Sequence, residues 1–457
     1  MKQHVFSIVA LLIFVASGCA SIGDPERARG IAAAALPEAP VAWAAAQQGE
    51  SVEVGWIAKL GDPVLNRLVV EALENNRNLQ AAAASIDEAR ALAAQAGAPL
   101  LPSVDITASG ARAGNIELPS APSYGVGAQL NWEIDVWGRV RAGRNAAAMG
   151  LYSQEADFLF TQYSIAAAVA QTYFQLIEAG LQLGVSRQSL AALGRTQEIV
   201  SAQRDIGAAS GLDLALAQTD LANAKDAVID GEGARRGAMR ALEVLLGRYP
   251  AGIIDSANAL PSLPARPGAD TPSSLLERRP DLIAAELSVA AAFNNVQAAR
   301  AARLPTFSLA SSINGASPEL ADVLDPENVA WQVAGNLLGP LFDNGLRKSR
   351  VDEASAKESQ AIAAYAQAAI TAFQEVENSL DQNAVLANRE AALKEAAANA
   401  SAALDLAQIR YREGETNLLD VLQIQSSKFA ADSALVRVQS QQLQEWVTLN
   451  LALGGGW

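Results

Sequence analysis

Proline is missing from two long windows of this chain, Ser123–Tyr249 and Leu341–Trp457. Inside a helix proline costs about 3 kcal/mol, so these windows are where helices of many turns can run. Both are rich in Ala, Leu, Gln and Glu, which favour helix. Between them Pro250, Pro261, Pro264, Pro267, Pro272 and Pro280 mark a linker.

The linker separates two halves that resemble each other. Asn78-Leu79 matches Asp281-Leu282, and the same spacing carries Ala81, Ala82, Ser85, Ala89, Leu101 and Pro102 onto Ala284, Ala285, Ser288, Ala292, Leu304 and Pro305. Further on, Gly138 matches Gly345. The spacing of that pair carries Gly207 onto Gly414, Leu212-Asp213 onto Leu419-Asp420, Gln218 onto Gln425 and Leu246-Gly247 onto Leu453-Gly454. The period far exceeds the roughly 20–50 residues of solenoid repeats. Each half is therefore a whole multi-element unit.

Within each half the hydrophobic period changes. Val104, Ile106 and Ala108 alternate with polar neighbours, and Tyr124, Val126, Ala128, Leu130, Trp132 and Ile134 do so more clearly. Phe307, Leu309 and Ile313, then Val329, Trp331 and Val333, repeat the pattern in the second half. Such alternation sends one set of side chains to each face of a strand. Strands of about 9–12 residues are long enough to cross a bilayer when tilted. A soluble hairpin with one buried face is the plainer alternative. Four strands cannot close a membrane barrel alone, because the smallest have about eight, so several chains would have to share one.

From Gly138 to Gly207, and again from Gly345 to Gly414, an unbroken helix would extend roughly 100 Å at 1.5 Å per residue. Return helices follow over Leu212–Leu246 and Leu418–Leu453. In the second, Leu422, Phe429, Val436 and Leu443 recur every seven residues, a coiled-coil seam.

Composition removes most other functions. Net charge is −15, whereas a nucleic-acid binder carries a basic stripe. The single histidine is His4 and the single cysteine Cys19, so a disulfide framework is excluded. The commonest general base and metal ligand is confined to the extreme N-terminus. No catalytic residue, metal site or cofactor is expected, and the chain does not read as an enzyme. Gly231-Glu232-Gly233 lacks the strand-turn-helix context of a phosphate loop and reads as a local bend. The pairs Glu375/Glu377 and Glu38/Glu50 have no metal motif beside them.

The N-terminus reads as an export signal over residues 1–18: Lys2, an apolar run from Val5 to Val15, then Ala16-Ser17-Gly18 before Cys19. The run is too short to span a bilayer. Small residues before a lone cysteine resemble the bacterial lipoprotein cleavage box, which implies a covalent lipid on Cys19. Ala20 in place of an acidic residue implies the outer membrane.

Taken together, the residues resemble the TolC-type outer-membrane factors, in their OprM/NodT-like lipoprotein branch. The matching motifs are Asp62-Pro63 with Leu65, Ala72-Leu73 and Asn76; Trp132-Glu133-Ile134-Asp135-Val136-Trp137-Gly138-Arg139; Leu276-Glu277-Arg278-Arg279-Pro280-Asp281; Ala372-Phe373-Gln374-Glu375-Val376-Glu377; Arg410-Tyr411 with Gly414; and Leu453-Gly454-Gly455-Gly456-Trp457. The resemblance implies a mainly α fold with a membrane β-barrel portion. Four β-strands per chain would contribute to a trimeric twelve-stranded barrel, and long coiled-coil helices would form a periplasmic α-barrel. The expected layout is a signal at 1–18, an anchored segment at 19–56, a first repeat at 57–250 with strands near 102–112 and 123–135, a linker at 251–274, and a second repeat at 275–457 with strands near 305–313 and 328–338.

Function follows as an expectation: a passive conduit of a tripartite efflux or secretion system, opened at its periplasmic helical tip by an adaptor. Expected partners are two further copies, a periplasmic membrane-fusion adaptor, an inner-membrane pump of the resistance-nodulation-division (RND) type, and outer-membrane lipid, with no nucleic acid. The resemblance places the constriction at Asp420 with its repeat partner Asp213, the tying tyrosine at Tyr411, and Thr416 where some relatives have arginine. Asp is also a common helix N-cap, and that reading of Asp213 and Asp420 stands beside the gate. Tyr124, Trp132, Phe307 and Trp331 are the expected lipid-facing aromatics. The alternative to a channel is a periplasmic coiled-coil lipoprotein acting as adaptor or envelope tether.

Overall fold

The computed structural model describes residues 25–36, 40, 42–45, 50–51, 55–114, 121–269 and 271–456. The expected signal segment and Cys19 lie outside the described residues. The first half runs α1 (Pro25–Ala34), β1 (Glu50–Ser51), a 3-10 turn (Trp56–Leu60), α2 (Pro63–Asn75), α3 (Arg77–Gly97), β2 (Ser103–Ala113), β3 (Ala121–Ile134), α4 (Arg139–Asp205) and α5 (Gly211–Leu245). The second runs β4 (Pro267–Gly268), α6 (Pro272–Arg278), α7 (Pro280–Ala301), β5 (Thr306–Ser317), β6 (Val329–Leu338), α8 (Leu346–Glu413) and α9 (Leu418–Ala452). The long helices α4 and α8 have 67 and 68 residues, and the return helices α5 and α9 have 35 each. Gly138, Gly207 and Gly247 take positive φ at 74°, 78° and 71°, and Gly345, Gly414 and Gly454 at 83°, 79° and 74°. Each ends or precedes a helix at the matching place in its repeat, where a Cβ would be strained.

The chain divides into two compact units. One holds residues 84–156 and 282–368 with the N-terminal stretch, and contains the antiparallel sheet β2-β3-β5-β6. At its strand-to-helix corner Asp135 accepts from the backbone of Val140 and Arg141 at 3.0 and 2.9 Å. Arg139 grips Glu133 with two bonds of 3.0 and 2.7 Å. Trp137 Nε1 donates to the Pro305 carbonyl at 2.7 Å. These contacts account for the Glu133-to-Arg139 motif. A second anchor in this unit packs Ala32 of α1 on Val289 and Tyr365.

Strand β5 runs to Ser317, four residues past the sequence estimate, because Gly315 and Ala316 break the apolar alternation yet keep the register with Val126 and Gly125. A Cβ at Gly315 would lie 1.9 Å from the Val323 carbonyl oxygen, so glycine lets the following loop return over the strand.

The other unit holds residues 38–83, 157–281 and 369–457. Its core gathers Trp56, Leu65, Leu68, Tyr173, Phe174, Ile177, Leu242, Leu246, Leu443 and Trp446, with Trp56 and Trp446 edge-to-face at 5.7 Å. Asp62 caps α2, accepting from Val64 and Leu65 at 2.8 and 3.1 Å and from the Tyr173 hydroxyl at 2.8 Å.

The repeat extends to individual bonds. Asn76 Nδ2 donates to the Leu245 carbonyl at 2.7 Å, and Arg279 Nη1 to the Ala452 carbonyl at 3.3 Å. Arg279, only 4% exposed, also pairs with Asp281 and Glu375. Glu377 accepts from the backbone of Ala44 and Ala45. Both carboxylates of the Glu375/Glu377 pair thus hold structure together.

Helix α5 passes through Gly231 and Gly233 as one unbroken helical run, so the two glycines do not interrupt it. Gly231 instead lies against Leu183, whose Cδ1 would be 3.3 Å from an added Cβ.

Candidate channel tip and membrane-facing sheet

In an antiparallel sheet, directly paired residues share a face. The register joins Val104↔Leu130, Ile106↔Ala128, Trp132↔Leu309, Ile134↔Phe307 and Ile313↔Trp331. One face therefore carries Val104, Ile106, Tyr124, Leu130, Trp132, Phe307, Leu309, Ile313, Trp331 and Leu337. The other carries Ser103, Asp105, Thr107, Gln129, Asn131, Ser312, Asn314, Gln332 and Asn336. All four aromatics singled out from the sequence lie on the apolar face. Much of that face is exposed in the single chain, with Ile106 at 83% and Trp331 at 78%. Trp132 is half-buried and its Nε1 donates to the Leu100 carbonyl at 3.0 Å. Strands β2 and β6 each pair on one side only.

The two helical turns of the other unit begin at glycines and end at caps. Neither Asp213 nor Asp420 is the N-cap that the alternative reading made it: the caps are Ser210 and Asn417. Each aspartate is the third helical residue. The Asp213 N–H donates to Ser210 Oγ at 3.1 Å, and its carboxylate accepts from Ser210 N and Oγ at 2.8 and 2.7 Å. This reciprocal box holds the Asp213 carboxyl below the usual carboxylate range, the Ser210 hydroxyl contributing most and its backbone N–H next.

The second turn is built differently. The Asp420 N–H donates to Asn417 Oδ1 at 2.9 Å, while its carboxylate accepts from the Thr416 hydroxyl at 2.9 Å. Tyr411 donates to Gln203 Oε1 at 2.7 Å, linking α8 to α4. Its ring packs against a small core of Val200, Ala217, Leu418 and Leu422. Burial, and then the charge of Asp213, push the Tyr411 hydroxyl pKa upward. The sequence-predicted tip residues thus fall into two groups, Asp420 with Thr416 and Tyr411 with Asp213.

Three further residues belong to the tip. Ser210 was open to detection through the Ser-x-x-Asp capping pattern. Gln203 had no local signal, being 208 residues from its partner. Gln425 is 1% exposed, and neither of its amide atoms has a partner among the described residues.

Backbone groups left open at a sheet edge cannot face lipid, so an apolar-faced sheet with two open edges defines a subunit that shares its membrane barrel with other chains. Within that class, the chain belongs to the outer membrane efflux protein family, whose model matches residues 68–248 and 271–455. It is 33% identical to outer membrane protein OprJ of Pseudomonas aeruginosa, over 100% of this chain and 97% of that protein. It is 30% identical to the pyoverdine export outer membrane protein OpmQ of the same species, over 88% and 87%. The outer-membrane channel OprN superposes with a TM-score of 0.86 at 27% identity, covering 92% of this chain and 98% of that one. The open state of the MtrE channel of Neisseria gonorrhoeae gives 0.82 at 29%, covering 92% and 97%. The chain is an outer-membrane efflux channel.

Proposed function

We propose that three copies of this chain close one twelve-stranded barrel and form the exit duct of a tripartite efflux pump. The observation that carries this is the four-stranded sheet with β2 and β6 open at its edges. Open edges in lipid cost several kcal/mol per unpaired group, and joining β6 of one copy to β2 of the next removes them all. The apolar face, with Tyr124, Trp132, Phe307 and Trp331, turns to lipid, and the polar face lines water. The two repeats are taken as residues 57–250 and 275–457, joined by the linker 251–274.

The duct does no chemistry. Its control lies in the tip, where Tyr411 ties α8 to α4 and the Asp213 and Asp420 carboxylates, three copies of each, set the field at the constriction. Thr416 holds Asp420 in place. A periplasmic adaptor docks on the tip and opens it, and an inner-membrane RND-type pump supplies the energy. A lipid on Cys19 adds a second attachment, since one acyl chain alone anchors weakly.

Native mass measurement of the detergent-solubilised protein tests the central claim. Three chains per particle and ion-conducting channels in planar bilayers are the expected result. A stable monomer without conductance overturns it.

A further inference from the structure

The polar face of the sheet carries two carboxylates, Asp105 on β2 and Glu133 on β3, and no lysine or arginine on any of its four strands. Glu133 is neutralised by the two bonds from Arg139. Asp105 is exposed and forms no ion pair among the described residues. The register sets it level with Gln129, Ser312 and Gln332, which are polar and uncharged. Arg112, the single cation within the four strands, lies on the opposite face, since it pairs with Pro122 in the set that holds Tyr124.

Barrel closure leaves this charge uncompensated. β2 is an edge strand, and the strand laid against it would be β6 of another copy. On the polar face β6 presents Ala330, Gln332, Ala334, Asn336 and Leu338. None is cationic, so no choice of register at the seam supplies a partner for Asp105.

We propose that Asp105 is a selectivity-determining residue of the barrel: three copies ring the aqueous lumen and favour cations over anions, independently of the carboxylates at the helical tip. This rests on the shared-barrel reading. With strands about 4.8 Å apart and tilted by about 40°, twelve strands give a backbone radius of roughly 12 Å, and the carboxylates stand ~10 Å from the axis. The Debye length is about 10 Å at 0.1 M salt and about 3 Å at 1 M. Three charges therefore reach the axis in dilute salt and are screened in concentrated salt. Screened Coulomb attraction on this scale gives a cation-over-anion preference of roughly fivefold at 0.1 M and almost none at 1 M.

The test uses the full-length channel in planar bilayers under KCl gradients, in the Asp213→Asn/Asp420→Asn background so that the tip does not mask the barrel. Asp105→Asn is expected to lower the potassium-to-chloride permeability ratio about threefold to fivefold near 0.1 M and to leave it unchanged near 1 M. Asp105→Glu should keep the ratio, and Asp105→Lys should push it below that of Asp105→Asn. Conducting channels whose ratio is the same in all four proteins overturn the inference and leave the barrel reading intact. Absence of channels and of a trimeric particle from the parent protein overturns the barrel reading, and the inference with it.

Discussion

The hydroxyl of Tyr411 donates to the side-chain oxygen of Gln203 at 2.7 Å, joining the last turns of the two long helices, one from each repeat. Removing the hydroxyl leaves the ring in its small core and deletes one neutral hydrogen bond, worth ~1 kcal/mol net. Tyr411→Phe is therefore expected to shift the closed-to-open equilibrium by about fivefold per copy. Ion selectivity should stay unchanged. Single-channel recordings check both parts, and an unaltered open probability would remove Tyr411 from the gate.

The two tip aspartates should separate in their variants. Asp213 is committed to the Ser210 box, so Asp213→Ala, which removes the acceptor of both Ser210 bonds, is expected to lower the thermal midpoint of the helices, read by circular dichroism. Asp420 leaves the cap to Asn417, and among the described residues its carboxylate accepts only from the Thr416 hydroxyl, a bond that an asparagine oxygen can also accept. Asp420→Asn should therefore spare stability, lower cation selectivity and blunt block by multivalent cations added from the periplasmic side. Lost stability with unchanged selectivity would return Asp420 to a structural role.

What the sequence disclosed here depended on how local the signal was. Period-two alternation from Tyr124 to Ile134 reports on neighbours along one strand, so the shared face of Trp132 and Trp331 could be read before any pairing was known. The paired glycines Gly138–Gly207 and Gly345–Gly414, inside the proline-free windows, located α4 and α8 to within two residues of their ends. The tip was less legible. Asp213 and Asp420 occupy matching positions in the repeat and both look like caps, yet their carboxylates bind different partners because Ser210 is replaced by Asn417. Gln218 and Gln425 match as well, but the first is exposed and the second buried. That difference arises from tertiary packing, since Leu418 and Leu422 of α9 close on Val200 of α4 and Ala217 of α5. The Gln203–Tyr411 bond spans both repeats and leaves no trace in either segment.

Gln425 follows Leu418 and Leu422 along one face of α9 and buries an amide with neither atom paired. A buried polar group without a partner costs ~1–3 kcal/mol, so this seam is held less tightly than an apolar one would be. Gln425→Met, similar in shape and free of the amide, is expected to stabilise the protein by about that amount and to lower the open probability. A fall in thermal midpoint would mean that the amide is satisfied in the assembled channel.

Tyr173 links the pH dependence of the helical unit to a named bond. It is fully buried, donates to Asp62 at 2.8 Å and accepts from the Ala257 N–H at 3.2 Å. Burial foremost pushes its pKa up to about 12; the Ala257 N–H works against the rise and the Asp62 carboxylate adds to it. In the unfolded chain a tyrosine loses its proton near pH 10. Between those values the unfolded state binds fewer protons than the folded one, so stability falls as pH rises. The contribution is complete below about pH 10 and is lost as pH climbs toward 12. Tyr173→Phe should be less stable than the parent at pH 8 by ~1 kcal/mol, the net value of a hydrogen bond. Its alkaline loss should also be shallower, so that the two stability curves converge above pH 10. Helical melting followed from pH 8 to 11.5 measures both curves, and parallel curves across that range would show that the Tyr173 proton plays no part.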